Sequence, residues 1–229
     1  MALFFAQRKI KIRWSICLAY AIGLITSDGC LSKNGRHIIF VSKELEMMDN
    51  FKKSLGLNNR ISTRIRKGEK ERKYYYLSFG DIYFYKFLNK IGLHSAKSKT
   101  IQQVIIPDRY FADFLRGLFD GDGSFYTYHD KRWPDSFGFK LSFSSASVDF
   151  INWLKKRLTN LYNVKGYLHK GAGVMSLEYV KGDTKKLFGL MYRNKNELFL
   201  KRKYFKLKNA LDTDKKSGLV FLQKHRLPG

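Results

Sequence analysis

The chain is poor in the residues that make secreted, zinc-bound or membrane-spanning proteins. It has only two cysteines, Cys17 and Cys30, in 229 residues. That is too few for a disulfide framework or a cysteine-ligated zinc site, and it fits a reducing compartment. Cys17 stands beside Leu18 in a helical pattern and reads as core. The histidines (His37, His94, His129, His169 and His225) are scattered, with no paired metal spacing, so histidine-based nuclease chemistry has no support. No run approaches the ~20 apolar residues of a membrane span. The apolar start, Met1-Ala2-Leu3-Phe4-Phe5-Ala6, is too short for a secretory h-region. The expected location is cytoplasm, nucleoid or an organelle matrix. The organelle is included because Arg8, Lys9, Lys11 and Arg13 are basic and no acid precedes Asp28.

Acid is also scarce. Nineteen Asp+Glu stand against 44 Lys+Arg, a net charge of +25. Such a surface seeks a polyanion, nucleic acid before an anionic membrane. With 44% hydrophobic and 16% aromatic residues, wholesale disorder is excluded and a sizeable core is expected.

Some of the few acids fall in a pattern. Ala21-Ile22-Gly23-Leu24-Ile25-Thr26-Ser27-Asp28-Gly29 and Leu115-Arg116-Gly117-Leu118-Phe119-Asp120-Gly121-Asp122-Gly123 are two versions of one segment. Each is an apolar helical run with a central glycine, ending in Asp-Gly. From Asp28 to Asp122 is 94 positions. The duplication continues. Phe40-Val41-Ser42 matches Phe143-Ser144-Ser145, and Gly80-Asp81 matches Gly182-Asp183. The wider spacing of these later matches places about nine extra residues in the second half. They are expected in a polar loop at His129-Asp130-Lys131-Arg132-Trp133-Pro134-Asp135.

Each half reads helix, hairpin, helix, hairpin, helix. The first helix of the second half is expected to start after Pro107 with Asp108 as N-cap. The expected division is a first repeat over 13–101, a linker over 102–107, a second repeat over 108–212 and a loosely held basic tail over 213–229.

A lone Asp-Gly is an ordinary helix end followed by a turn. Two copies suggest more. Ala19, Gly23 and Ser27 form a strip of small side chains that Gly117 and Gly121 repeat, which lets two helix backbones approach closely. A mid-helix glycine costs ~1 kcal/mol against alanine. A carboxylate at a helix C-terminus is unfavourable by a further ~0.3–1 kcal/mol. Packed together, the helices would set Asp28 near Asp122, and like charges need a cation between them. Oxygen ligands without His or Cys select a hard ion, Mg²⁺ or Mn²⁺.

These segments resemble the LAGLIDADG family of homing endonucleases in its single-chain, two-motif form, over about Trp14 to Leu211. Phe114–Phe125 is near consensus. The first motif departs at Ala21, Ile22 and Thr26, the last a position where the family often has an acid. The resemblance implies an α+β fold of two αββαββα repeats about a pseudo-two-fold axis, with the motif helices central and two antiparallel sheets forming a saddle over DNA. It implies cleavage of both strands across the minor groove, leaving 3′ overhangs. Asp28 and Asp122 would bind the divalent metal, with the carbonyls of Ser27 and Gly121 completing its shell. A lysine after Ile91-Gly92-Leu93 would act beside them, Lys97 matching best and Lys99 the rival. In the second half Lys201 and Lys203 are the candidates.

A two-stranded ribbon fits the major groove of DNA. By alternation, the residues expected to face it are Ser32 and Arg36 in the first hairpin and Ser62, Arg64 and Arg66 in the second. Tyr126, Tyr128, Lys140 and Ser142 follow in the third, and Lys165, Tyr167 and His169 in the fourth. The implied partner is a long pseudo-palindromic or asymmetric DNA duplex, bound by a monomer encoded within an intron or intein. Two other readings stay open on this fold: an intron RNA-binding maturase and a non-catalytic DNA-binding regulator.

Overall fold

The structure is a computed structural model describing residues 9–65, 73–131, 133–194 and 197–224; the side chains of residues 65, 73, 130, 133–136 and 216–224 are not described. The first repeat runs α1 (Ile16–Asp28), β1 (Gly29–Leu31), β2 (His37–Ser42), α2 (Leu45–Leu55), β3 (Ser62–Ile65), β4 (Lys73–Gly80) and α3 (Ile82–Lys90). The second runs α4 (Phe111–Asp122), β5 (Ser124–Asp130), β6 (Trp133–Ser145), α5 (Val148–Tyr162), β7 (Tyr167–Lys170), β8 (Met175–Val180) and α6 (Lys181–Met191), and α7 (Lys201–Lys224) follows. Both repeats are αββαββα. Their antiparallel sheets share one strand order, β1-β2-β4-β3 and β5-β6-β8-β7.

The helices α1 and α4 are buried on all sides, from Leu18 to Thr26 in one and from Phe111 to Asp120 in the other. A helix buried on every side lies at the centre of a fold; α1 is apolar all round there, and α4 buries Asp113, Arg116 and Asp120 with partners. The two pack against each other through their glycines. A Cβ on Gly23 would overlap the Phe114 carbonyl, and one on Gly117 would overlap the Tyr20 carbonyl. Trp14 and Tyr110 stack at the other end of the helix pair, where the Tyr110 hydroxyl donates to the Trp14 carbonyl at 3.1 Å.

Alternation splits each sheet into an inner and an outer face. Ile38, Phe40, Leu77 and Phe79 are buried in the first sheet, as are Phe139, Leu141, Phe143, Leu177 and Tyr179 in the second. Both sets join one core with the central helices.

Four expectations need correction. Cys17 is exposed in the first turn of α1, where burial starts only at Leu18. Asp108 does not cap α4. It starts a 3₁₀ turn, Asp108–Tyr110, and pairs with Arg157 at 2.6 Å. The extra residues of the second half form hairpin arms more than loop: β5 reaches Asp130 and β6 begins at Trp133, with a register shift at His129/Asp130. Arg132 lies outside the described residues. Residues 213–224 continue α7, where buried Leu207 and Ala210 face the core and Asp214 pairs with Lys181 and Lys185 of α6. The turn expected at Gly68-Glu69-Lys70-Glu71 lies outside the described residues, and so does the apolar start of the chain.

Candidate functional site

Asp28 and Asp122 are the last residues of α1 and α4, so close packing of the helices brings their carboxylates side by side. A Cβ on Gly121 would lie 2.6 Å from Asp28 Oδ2. That oxygen is buried and has no hydrogen-bond partner. Burial pushes the Asp28 carboxyl up to about 6, with Asp122 adding to the effect and Lys203 opposing it. Burial also raises Asp122, against Lys203 and Lys97.

Each helix end receives one lysine. Lys97, in the 3₁₀ turn Lys97–Lys99, is buried and donates to the Gly29 carbonyl at 2.7 Å. Lys203, on α7, donates to the carbonyls of Phe119, Gly121 and Gly123 at 2.7, 2.8 and 2.7 Å. Gly29 and Gly123 are equivalent positions, so the two lysines cap equivalent helix ends, where the dipole favours a cation. Lys99 and Lys201 are exposed, and Lys201 lies near Glu46 instead. Burial lowers Lys97 and takes Lys203 down to about 8, with Arg202 contributing and the carboxylates opposing.

Two clefts flank the helix pair, and the motifs are exchanged between them. A cleft of about 760 Å³ beside the first sheet is lined by Asp28, Gly121, Lys203, Ser42 and Tyr76. A cleft of about 270 Å³ beside the second is lined by Asp122, Ser27, Lys97, Ser144 and Ser145. Each therefore combines one motif's aspartate with the residue preceding the other motif's aspartate and with the other repeat's lysine.

The donor set suits a hard divalent cation: two carboxylates, one with an orphaned buried oxygen, amid backbone carbonyls. Among the described residues no three His, Cys, Asp or Glu side chains gather to hold a metal ion. Carbonyls, water or phosphate would have to complete the shell. The Gly121 carbonyl, expected in that shell, accepts from Lys203.

The sheets' outer faces lead away from these clefts. On the second sheet Tyr126 pairs with Lys140, Ser142 with Glu178, and Tyr167 with Glu178, all on one face. Tyr128 and His169 share that face, and exposed Lys165 precedes it in the same alternation. On the first sheet Ser62 and Arg64 lie opposite Tyr76 and Tyr74, and Arg64 stacks 3.9 Å from the Tyr76 ring centroid. Ser32 pairs with His37 beyond the strand end. Arg36 is exposed at the hairpin end, where its Nε and His37 Nε2 lie 3.0 and 3.2 Å from the Cβ position of Gly80, in the alternation of outward Tyr76 and Ser78. Arg66 lies outside the described residues.

Reading the sequence passed over Glu178. This acid on the basic face accepts from Tyr126 at 3.0 Å and Lys140 at 3.2 Å, with His169 3.4 Å away. Its alternation against Leu177 and Tyr179 was the available signal. It also passed over the buried polar group on α4. Arg116 is fully buried, paired with Asp113 and Glu197, and bonded to the Met191 and Leu198 carbonyls. The Asp120 carboxylate accepts from the Tyr20 hydroxyl and the Leu200 amide. No helix among the described residues is long and apolar enough to cross a membrane.

The comparisons agree with this architecture. In solved structures, the homing endonuclease I-WcaI bound to its DNA recognition sequence is 15% identical, with TM-score 0.62, covering 85% of this chain and 88% of that one. I-DmoI in complex with DNA and Ca is 16% identical, with TM-score 0.52 and coverage of 85% and 97%. Full-length DUF199/WhiA from Thermatoga maritima is 15% identical, with TM-score 0.55 and coverage of 94% and 69%. At these identities the likeness shows the fold. No curated protein matches the sequence. A family model described as LAGLIDADG-like domain matches residues 15–92 and 110–199, one segment in each repeat. With both repeats matched over most of the chain, the protein belongs to the LAGLIDADG-like domain family.

Proposed function

We propose that the protein is a site-specific DNA endonuclease that acts as a monomer and cuts both strands across the minor groove, leaving 3′ overhangs. The observation that carries this reading is the exchanged pair of clefts. Each holds an aspartate and a desolvated lysine at the foot of a sheet, as two-strand cleavage by one chain requires.

The outer sheet faces would lie in the major groove on either side of the cut, with Arg64 and Lys140 offering donors to bases or phosphates. The basic surface would neutralise the backbone. Asp28 and Asp122, with the carbonyls of Ser27 and Gly121, would hold Mg²⁺ or Mn²⁺. When bound, such an ion polarises a phosphoryl oxygen and stabilises the leaving oxygen. Lys97 and Lys203, held away from bulk water, would set positive charge against the phosphate as negative charge develops. An intron or intein as host gene accords with the homing endonucleases that share the fold.

A DNA-binding protein without cleavage is the second reading. One observation favours it: Lys203 is bonded to a carbonyl that a metal would use. One experiment separates the two. Sites cleaved with Mg²⁺ are selected from a random duplex library, and Asp28→Asn and Asp122→Asn are assayed on them. Loss of cleavage of both strands with retained binding supports the endonuclease. Wild-type rates in either variant, or no cleaved site at all, refute it. Intron transcripts added as competitors test the maturase reading.

A further inference from the structure

The two lysines are held by unlike supports. Lys97 sits in a short 3₁₀ turn after α3, and Lys203 sits on the third residue of a long helix. The start of that helix is bound to buried Asp120. The Leu200 amide, one residue before α7, donates to Asp120 Oδ2 at 2.8 Å, and the Tyr20 hydroxyl of the other motif helix donates to the same oxygen at 2.7 Å. Just before it, the Phe199 carbonyl accepts from Asn50 of α2 at 2.9 Å. At the equivalent position the first motif has Thr26. Its hydroxyl turns back to its own helix, donating to the Ile22 carbonyl at 2.7 Å. One lysine therefore has a carboxylate anchor at the end of its helix, and the other has none at the matching position.

We infer that Asp120 is a positioning residue for Lys203. Acting through the start of α7, it fixes the ammonium on the carbonyls that end α4. The cleft containing Asp28 depends on this anchor, and the cleft containing Asp122 does not. The inference rests on the reading of Lys203 as an active-site lysine. A hydrogen bond to an ionised group is among the stronger local restraints in a protein. A displacement of ~1 Å at a reacting centre can slow a reaction about a hundredfold.

The test uses the full chain and does not depend on cleavage. Asp120→Thr copies the residue of the first motif, and Asp120→Asn keeps an acceptor as a milder variant. Lysine acetylation by a small reagent is followed residue by residue by mass spectrometry, with circular dichroism confirming the fold. In the Thr variant, labelling of Lys203 should rise about tenfold, as expected for loss of one charge-assisted hydrogen bond. Lys97 should change less than about twofold, since it has no such anchor to lose. The Asn variant, which removes the charge beside Lys203 but keeps an acceptor for the Leu200 amide, should stay near wild type; a rise equal to that of the Thr variant traces the effect to the charge and overturns the inference. Unchanged Lys203 labelling in the Thr variant, or an equal rise at both lysines, also overturns it.

On a cleavable duplex the Thr variant should slow one strand about a hundredfold and accumulate nicked product. The slowed strand should be the one slowed by Lys203→Met, while Lys97→Met slows the other. Equal slowing of both strands shows a merely structural role. Absence of cleavage by the wild type refutes the endonuclease reading and leaves the labelling result to decide the positioning.

Discussion

Replacing Gly117 by alanine should destabilise the protein, although alanine is the better helix former. In an unpacked helix the exchange would gain ~1 kcal/mol. In α4 the new Cβ would overlap the Tyr20 carbonyl oxygen and lie 3.0 Å from its carbon and 3.1 Å from the Leu24 nitrogen. These are backbone atoms of α1 and cannot rotate away, so the helices must separate. Overpacking of this kind costs ~1–3 kcal/mol. Taking the upper end and subtracting the propensity gain leaves a net loss of about 2 kcal/mol. For a chain of this length that lowers Tm by about 4–8 °C. Gly189→Ala is the internal control, because nothing lies within 4 Å of its added Cβ and it should gain up to ~1 kcal/mol. Gly23→Ala should behave like Gly117→Ala, and the double variant should lose less than the sum, since one separation serves both. Thermal melts by circular dichroism measure all four. If Gly117→Ala or Gly23→Ala raises Tm as Gly189→Ala does, the two helices are not in backbone contact and the paired carboxylates lose their structural basis.

Arg116→Met should be the most damaging change on α4, because it leaves Glu197 without its cation and buried Asp113 with Arg193 alone. The loss should be about 3–5 kcal/mol, or about 10 °C in Tm. Adding Asp113→Asn and Glu197→Gln should recover much of it, and no recovery refutes the uncompensated-charge explanation. Glu178→Gln should strengthen non-specific DNA binding by releasing Lys140 and removing a negative charge from the outer face. The log–log salt slope should steepen by up to ~0.9, one phosphate's share. An unchanged slope measured by fluorescence anisotropy places Glu178 outside the DNA contact.

The hairpins and central helices were legible because their signals are local. Asn34-Gly35 turns with Gly35 at φ 70°, and Phe137, Phe139, Leu141 and Phe143 alternate as an inner face should. The helical form of the last part of the chain was not legible, because its charge suggests solvent. The buried positions Leu207 and Ala210 and the Asp214 ion pairs become meaningful only once α6 lies alongside.

The sequence alone determined that there are two repeats, that each ends a glycine-bearing helix in aspartate, and that the surface suits a polyanion. These are matters of pattern and composition, readable along one dimension. The tertiary structure decided which groups share a cleft. The first sheet's cleft takes Asp28 together with Gly121 and Lys203, and the second sheet's takes Asp122 together with Ser27 and Lys97, because the packed helix ends lie between the two sheets. The tertiary structure also set Lys97 and Lys203 against helix ends and left Lys99 and Lys201 exposed, since contact with a helix end is a relation between distant segments. The anchoring of α7 by Asp120 joins residues 80 positions apart through a single hydrogen bond, and no periodicity in the chain encodes such a contact.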